Sequence, residues 1–267
     1  MILVTGPRGR VGRELINELI AGGHPVRGLS RDPGKAGLPA EIDLAAGDLA
    51  APQTLTEALD GVDAVFLFSI GHTGAGFGQA LRAAGVGRLV LISGIDQDPD
   101  AIEHDLDEVG LEWTHLWPTA FASNALRHWG PSISTEHIVR SPYGDAAIAP
   151  VDELDIASVA AAALTQDGHA GLRYVLTGPE SLTFRDQVAL IGKAINQDIT
   201  FHEETPDEAR ARMIRQWIPQ PVVDGLLATW ADATTHPALV TDTIAEVTGR
   251  PAHSFAEWIA RHTSDFG

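Results

Sequence analysis

Cysteine is missing from the sequence altogether. Disulfides, thiolate nucleophiles and Cys-ligated zinc are therefore excluded, and nothing favours an oxidising compartment. Positive charge is also scarce: 18 Lys+Arg stand against 36 Asp+Glu, for a formal net charge of −18. Such a surface repels a phosphate backbone or an anionic lipid, so neither a nucleic acid nor a membrane is an expected partner. No apolar run reaches the roughly 18 residues of a membrane span. Met1 leads straight into Ile2-Leu3-Val4, without the basic flank and apolar stretch of an export signal. The expectation is a soluble cytoplasmic chain, monomer or homodimer, that acts on small molecules.

What is present is enough apolar material, 44% of 267 residues, for a sizeable core. Short apolar runs at Ile2–Thr5, Pro25–Ser30, Ile42–Ala46, Ala64–Ser69, Arg88–Ser93 and Trp113–Trp117 lack clean polar alternation and read as strands buried on both faces. Val11, Leu15, Ile16, Leu19 and Ile20 recur at helical spacing between the first two, with Gly22-Gly23 as the stop. Further helices fit Gln53–Leu59, Gly78–Ala84, Ala101–Val109 and Ala157–Leu164. Strand and helix in alternation imply a parallel sheet with right-handed crossovers. From about Pro179 the pattern turns helical, at Arg185–Ile195, Asp207–Trp217, Val222–Ala233 and Ser254–His262. The predicted fold class is α/β: a doubly wound parallel sheet (Rossmann fold) over residues 1–178, then a smaller, mostly helical part over 179–267 that covers the substrate.

The chemistry starts at the first turn. Gly6-Pro7-Arg8-Gly9-Arg10-Val11-Gly12 follows the first strand and opens the first helix. Glycine permits the tight bend, lets the backbone approach a pyrophosphate, and lets helix and sheet pack closely. An anion then rests on the helix N-terminus. Three glycines at this spacing also occur in an ordinary βα turn; their place in a full alternating pattern favours NAD(P). The second strand ends Leu29-Ser30-Arg31. An acidic residue there would accept a ribose 2′-hydroxyl, whereas Arg31 can pair a 2′-phosphate, helped by Ser30, Arg8 or Lys35. NADP(H) is therefore expected in preference to NAD(H), although Asp32 follows directly. Asp48 and Leu49, after the third strand, either meet the adenine edge or simply cap a turn.

With these pieces in view, the chain resembles the NmrA-like, atypical short-chain dehydrogenase/reductase family. The likeness rests on Val4-Thr5-Gly6-Pro7-Arg8-Gly9-Arg10-Val11-Gly12, Arg31-Asp32-Pro33, Gly47-Asp48-Leu49 and Gly61-Val62-Asp63-Ala64-Val65-Phe66. It continues through Ala84-Gly85-Val86, Gly110-Leu111-Glu112-Trp113-Thr114, Trp117-Pro118-Thr119-Ala120-Phe121, Asp155-Ile156-Ala157, Leu176-Thr177-Gly178-Pro179-Glu180 and Val247-Thr248-Gly249-Arg250-Pro251. The resemblance implies either an NADPH-dependent reductase of a small aromatic or quinonoid acceptor, or a non-catalytic NADP(H) sensor with a regulatory or accessory role. Two features depart from the family: a compressed Gly-rich loop at 70–78, and Trp117, where relatives commonly carry Arg.

Short-chain dehydrogenases with the full catalytic set protonate a carbonyl with a Tyr whose acidity is raised by a Lys four residues on. The only lysines here are Lys35 and Lys193 and the only tyrosines Tyr143 and Tyr174, so no Tyr-x-x-x-Lys exists. An epimerase or dehydratase of nucleotide sugars, which needs that tyrosine, is disfavoured. Strand-end position places Phe68, Ser69, Ser93 and Gly94 on the nicotinamide side, and the resemblance adds Pro118, Thr119 and Phe121. His104 and Tyr143, and less so Asp152, are candidate proton donors. Trp117, Asn124, Trp129 and Trp217 are candidate substrate contacts, although tryptophans in helices are often plain core. No metal site is expected, because no histidine and carboxylate set has ligand spacing.

Overall fold

The computed structural model describes residues 1–35, 42–69, 73, 76–93, 106, 109–216 and 218–267. These form two compact units that interleave along the chain. One holds Met1–Pro118, Glu153–Leu176 and Val247–Gly249; the other holds Thr119–Asp152, Thr177–Glu246 and Arg250–Gly267.

The first unit is built on a seven-stranded parallel sheet. It comprises β1 (Ile2–Thr5), β2 (Val26–Ser30), β3 (Asp43–Ala46), β4 (Ala64–Ser69), β5 (Arg88–Ser93), β6 (Glu112–Pro118) and β9 (Leu172–Leu176), in the order β3-β2-β1-β4-β5-β6-β9. The order reverses beside β1, where β2 pairs on one side and β4 on the other. Such a switch point opens a crevice at the carboxyl ends of the strands.

Helices α1 (Arg10–Ala21) and α4 (Glu153–Thr165) pack on each other, and α2 (Phe77–Ala83) packs with the Pro52–Thr54 turn. Alternate strand residues divide the core. Leu3, Val65, Leu67, Leu89 and Leu91 join Leu55, Leu59, Phe77 and Leu81 in one cluster. Helix α4 is buried from Asp155 to Leu164, and alanine at 157 and 160–163 keeps that helix slim. Ser158 Oγ donates to Glu18 Oε2 at 2.7 Å, tying α4 to α1.

The second unit contains α3 (Asn124–Glu136), β7 (Ile138–Ser141), β8 (Ala147–Ile148), β10 (Leu182–Thr183), α5 (Phe184–Ile195), β11 (Thr200–Glu203), α6 (Pro206–Arg215), α7 (Gln220–Asp232) and α8 (Phe255–His262). Strands β7 and β11 pair in parallel, and β8 and β10 antiparallel. Its core gathers Trp129, Ile133, Phe184, Ile191, Phe255, Trp258 and Phe266. Reciprocal capping boxes start α5, α6 and α8, at Thr183/Asp186, Thr205/Glu208 and Ser254/Glu257. Each satisfies two N–H groups that the helix start would leave open.

Three sequence expectations change. Gln53–Leu59 is not a continuous helix: a 3-10 turn at Pro52–Thr54 precedes an isolated turn in which Leu59 N–H reaches Leu55 O. Thr54 Oγ1 accepts the Asp48 N–H at 2.9 Å and donates to Ala51 O at 2.8 Å, holding that tight geometry. Second, β9 completes the sheet as an edge strand whose Leu172 and Arg173 are exposed, so it carries no buried apolar run to betray it. Third, the division at residue 178 gives way to an interleaved one, because residues 119–152 belong with the second unit while α4 and β9 return to the sheet. The expected helix at Ala101–Val109 and most of the loop at 70–78 lie outside the described residues.

Candidate cofactor site

The site begins where β1 stops. Gly6 has φ +60, a left-handed backbone that a side chain would strain, and Gly9 N–H turns back to Gly6 O at 2.9 Å. Gly9 is also the N-cap of α1, so no side chain accepts from the N–H groups of the first turn, and no acidic residue sits there. Those N–H groups and the helix dipole face the turn. A Cβ on Gly12 would stand 2.3 Å from Gly6 O, so glycine at 12 is what lets helix and turn nest. Thr5 Oγ1 accepts the Phe68 N–H at 2.8 Å and locks the end of β1 to that of β4.

A cavity of about 700 Å3 opens over this turn. It is lined by Thr5, Gly6, Pro7, Arg8, Gly9, Leu29, Ser30, Arg31, Asp32, Gly47, Asp48, Leu49, Ala50 and Phe68, all in the first unit. That volume lies within the range of about 300–1,000 Å3 usual for small-molecule sites. Arg8 and Arg31 are both exposed at its rim. Two guanidinium groups, an open helix start and a turn too tight for side chains fit a doubly phosphorylated ligand. Asp48 is folded into its own turn: its Oδ1 accepts the Ala50 N–H at 3.0 Å. Ser30 Oγ accepts the Asp32 N–H at 3.2 Å, which fixes the bend on which Arg31 stands.

The structure gathers eight of the expected cofactor residues on one wall: Gly6, Arg8, Gly9, Ser30, Arg31, Asp48, Leu49 and Phe68. Gly12 and Val11 lie beneath that wall, both buried in α1, and Arg10 is exposed at the helix start. Lys35 ends a short turn at Pro33–Lys35 and Ser69 ends β4; the side chains of both are outside the described residues, as are Gly94, His104 and Trp217. Ser93 is not on the cavity wall. It is 6% exposed, with Oγ 2.7 Å from His115 Nε2. Pro118 is buried at the end of β6, and Trp117 is half-buried with the Arg173 guanidinium 5.5 Å from its ring centroid. Sequence reasoning left out Thr5, Pro7, Leu29 and Ala50: strands β1 and β2 bring Thr5 and Leu29 to the cavity, and the turns after β1 and β3 bring Pro7 and Ala50.

In the second unit, Trp129 is 6% exposed and lies edge-on to Phe184 at 5.6 Å, leaving little surface to offer a substrate. Tyr143 has φ +56 and packs, half-buried, against the unit's apolar clusters. Asp152 is buried and ion-paired with Arg261, which occupies the carboxylate. Thr119 is exposed, Phe121 is half-buried and bridges to Val151, and Asn124 begins α3.

His128, edge-on to Trp230, has its pKa lowered from 6.5 to about 4, first by burial and then by the charges of Arg127 and Arg212. Its contribution to stability is therefore complete above pH 6.5 and is lost as pH falls towards 4, where the unfolded chain takes up a proton that the folded chain refuses. Urea midpoints measured across that window should fall more steeply for the wild type than for His128→Gln; parallel curves would show that another group is responsible.

Comparison with known proteins agrees with this geometry. The NAD(P)H-binding family model matches residues 6–167. The chain is 39% identical to the (4-alkanoyl-5-oxo-2,5-dihydrofuran-3-yl)methyl phosphate reductase of Streptomyces griseus, over 100% of this chain and 99% of that protein. It is 33% identical to the NAD(P)H azoreductase of Xenophilus azovorans, with the same coverage. Among solved structures, the NADPH-dependent quinone oxidoreductase QOR2 of Escherichia coli superposes with a TM-score of 0.81 at 25% identity, covering 98% of this chain and 99% of that one. The chain belongs to the NAD(P)H-binding family. Among the described residues no helix is long and apolar enough to cross a membrane.

Proposed function

We propose that the protein is an NADPH-dependent reductase that delivers hydride to a small, electron-poor aromatic or quinonoid acceptor. The observation that carries this reading is the cavity over the Gly6–Gly12 turn, with an uncapped helix start at one side and Arg31 at the other. When bound, the cofactor supplies the hydride. The protein's own work is to hold the diphosphate on the N–H groups of α1, to pair the ribose 2′-phosphate with Arg31 and Arg8, and to keep the acceptor in line.

The relatives support the acceptor class. Their names describe a butenolide whose ring alkene is conjugated with two carbonyls, azo compounds and quinones. All three are extended π systems that take hydride readily, so orientation matters more than a strong acid. The absence of a Tyr-x-x-x-Lys pair fits that economy.

The test is consumption of NADPH absorbance in the presence of quinones, azo dyes and acylated butenolides. Turnover with at least one class is expected, together with weaker use of NADH. NADPH that binds tightly yet is never oxidised would replace this reading with that of a cofactor sensor.

A further inference from the structure

Three ring side chains of the second unit share one setting: His128 on α3, Tyr143 in the turn after β7, and Trp230 on α7. Tyr143 and Trp230 each pack against both of that unit's apolar clusters, the large one around Phe184 and the small one of Ala209, Met213, Val223 and Leu227. Trp230 meets Phe184 edge-on at 5.3 Å and His128 edge-on at 6.1 Å. Ala147 N–H donates to Ala233 O at 3.0 Å, which ties the Tyr143 turn to the end of α7. The rings are therefore gathered where the two clusters meet.

All three are half-buried, and among the described residues nothing bonds the Tyr143 hydroxyl, the Trp230 indole N–H or either His128 nitrogen. No sealed side-chain nitrogen or oxygen lacks a partner among those residues, so these atoms are open to solvent. Three open polar tips on one apolar seam have the make-up of a small-molecule site, whose walls are apolar and whose polar groups are few.

The backbone of Tyr143 adds an independent sign. Among the described residues, three other than glycine have positive φ: His137 at 54, Tyr143 at 56 and Asn196 at 55. His137 and Asn196 are C-caps, where a left-handed residue ends a helix. Tyr143 ends no helix, and a bulky side chain in that region is strained. The turn is held by Ala146 N–H on Tyr143 O at 2.8 Å and by Gly144 N–H on Glu203 Oε1 at 3.2 Å. Strain that the surrounding structure maintains at one residue points to a task for its side chain.

We infer that Tyr143, His128 and Trp230 seat the ring of the acceptor, and that the ring they suit is flat and carries oxygen substituents, an inference that rests on the reductase reading for calling that ring the acceptor. The Trp230 N–H only donates, the Tyr143 hydroxyl donates and accepts, and an uncharged imidazole offers one N–H and one lone pair. Burial and the charges of Arg127 and Arg212 keep His128 uncharged at neutral pH. Carbonyl oxygens thus answer Trp230 and Tyr143, and a ring hydroxyl answers His128. A hydroxylated quinone has both, on a plane that packs against aromatic walls. The three residues bind and orient; the hydride still comes from the cofactor.

The protein has no cysteine for a quinone to alkylate, so binding can be read directly. With NADP+ bound, which has no hydride to give, calorimetry compares 5-hydroxy-1,4-naphthoquinone with 1,4-naphthoquinone. Tyr143→Phe and Trp230→Phe should each raise Kd for both rings about 3- to 10-fold, the loss of one hydrogen bond, with NADP+ Kd changed less than about twofold. His128→Leu should weaken the hydroxylated ring by a similar factor and leave the parent ring unchanged. Tyr143→Asn, which suits the left-handed backbone, should weaken both rings by about 10-fold or more while shifting the melting midpoint by less than about 3 °C. A tyrosine that only packs would do the reverse. In the wild type the Trp230 indole N–H resonance should move as the ring is added, a readout that requires no variant to fold.

Unchanged quinone Kd in Tyr143→Phe and Trp230→Phe, with an unmoved Trp230 N–H, overturns the inference alone, beside a wild type that still reduces quinones. NADP+ affinity that falls in step with quinone affinity also overturns it, since the residues would then serve the cofactor. Ring binding with the stated losses, but no oxidation of NADPH by any quinone, supports the seat and overturns the reductase reading.

Discussion

Gly12→Ala should weaken NADPH binding by roughly 100-fold while the chain still folds. The added methyl would meet Gly6 O at 2.3 Å and Pro7 Cα at 3.1 Å, both backbone atoms that cannot swing aside as a side chain would. Relief requires the turn to lift from the helix, and overpacking of this kind costs about 1–3 kcal/mol. Part of that cost falls on stability. The larger part falls on the ligand, because a lifted turn no longer aims its N–H groups at one diphosphate. Calorimetric titration with NADPH, beside a thermal melt, separates the two. A variant that binds as the wild type does would show that the nesting of Gly6 on Gly12 is not what builds the cradle.

The second large effect is expected at the other end of the cavity. Arg31→Ala should raise the NADPH dissociation constant by about 10- to 100-fold, since a charged hydrogen bond contributes about 1.5–3 kcal/mol, and should leave NADH almost untouched. Arg31 is exposed and stands on the bend where Ser30 Oγ accepts the Asp32 N–H, so its removal disturbs no core. The neighbouring Asp32 also lines the cavity. With the guanidinium gone, its carboxylate would confront a 2′-phosphate directly, which adds to the loss for NADPH and not for NADH. Equal weakening of both dinucleotides would assign Arg31 to the shared part of the cofactor instead.

Much of the first unit was legible in the sequence because a parallel sheet buries both faces of its strands. Ile2–Thr5, Ala64–Ser69 and Arg88–Ser93 are apolar throughout or nearly so, and all three form strands with the expected limits. The Gly6–Gly12 turn was legible for a different reason: Gly6 and Gly12 answer to backbone geometry that other residues cannot meet. Strand β9 was hidden because an edge strand need not be apolar, and Leu172 is 41% exposed. The helix misjudged at Gln53–Leu59 shows the opposite error. Leu55, Ala58 and Leu59 are buried, so the periodicity reported burial faithfully, while Pro52 and the hydroxyl of Thr54 decided the backbone. The Ser93–His115 contact was out of reach, because two residues 22 apart meet only once the register between β5 and β6 is known.

The interleaving of the two units also governs the order in which the chain can mature. As it leaves the ribosome, the sheet has β6 as a bare parallel edge, and the strand that covers it arrives only after the whole of 119–152 has been made. Residues 172–176 therefore act as a late closure for a surface that would otherwise invite pairing with another chain. A nascent or proteolysed fragment ending before Leu172 would carry the Gly6–Gly12 turn intact and still be a poor guest in a crowded cell.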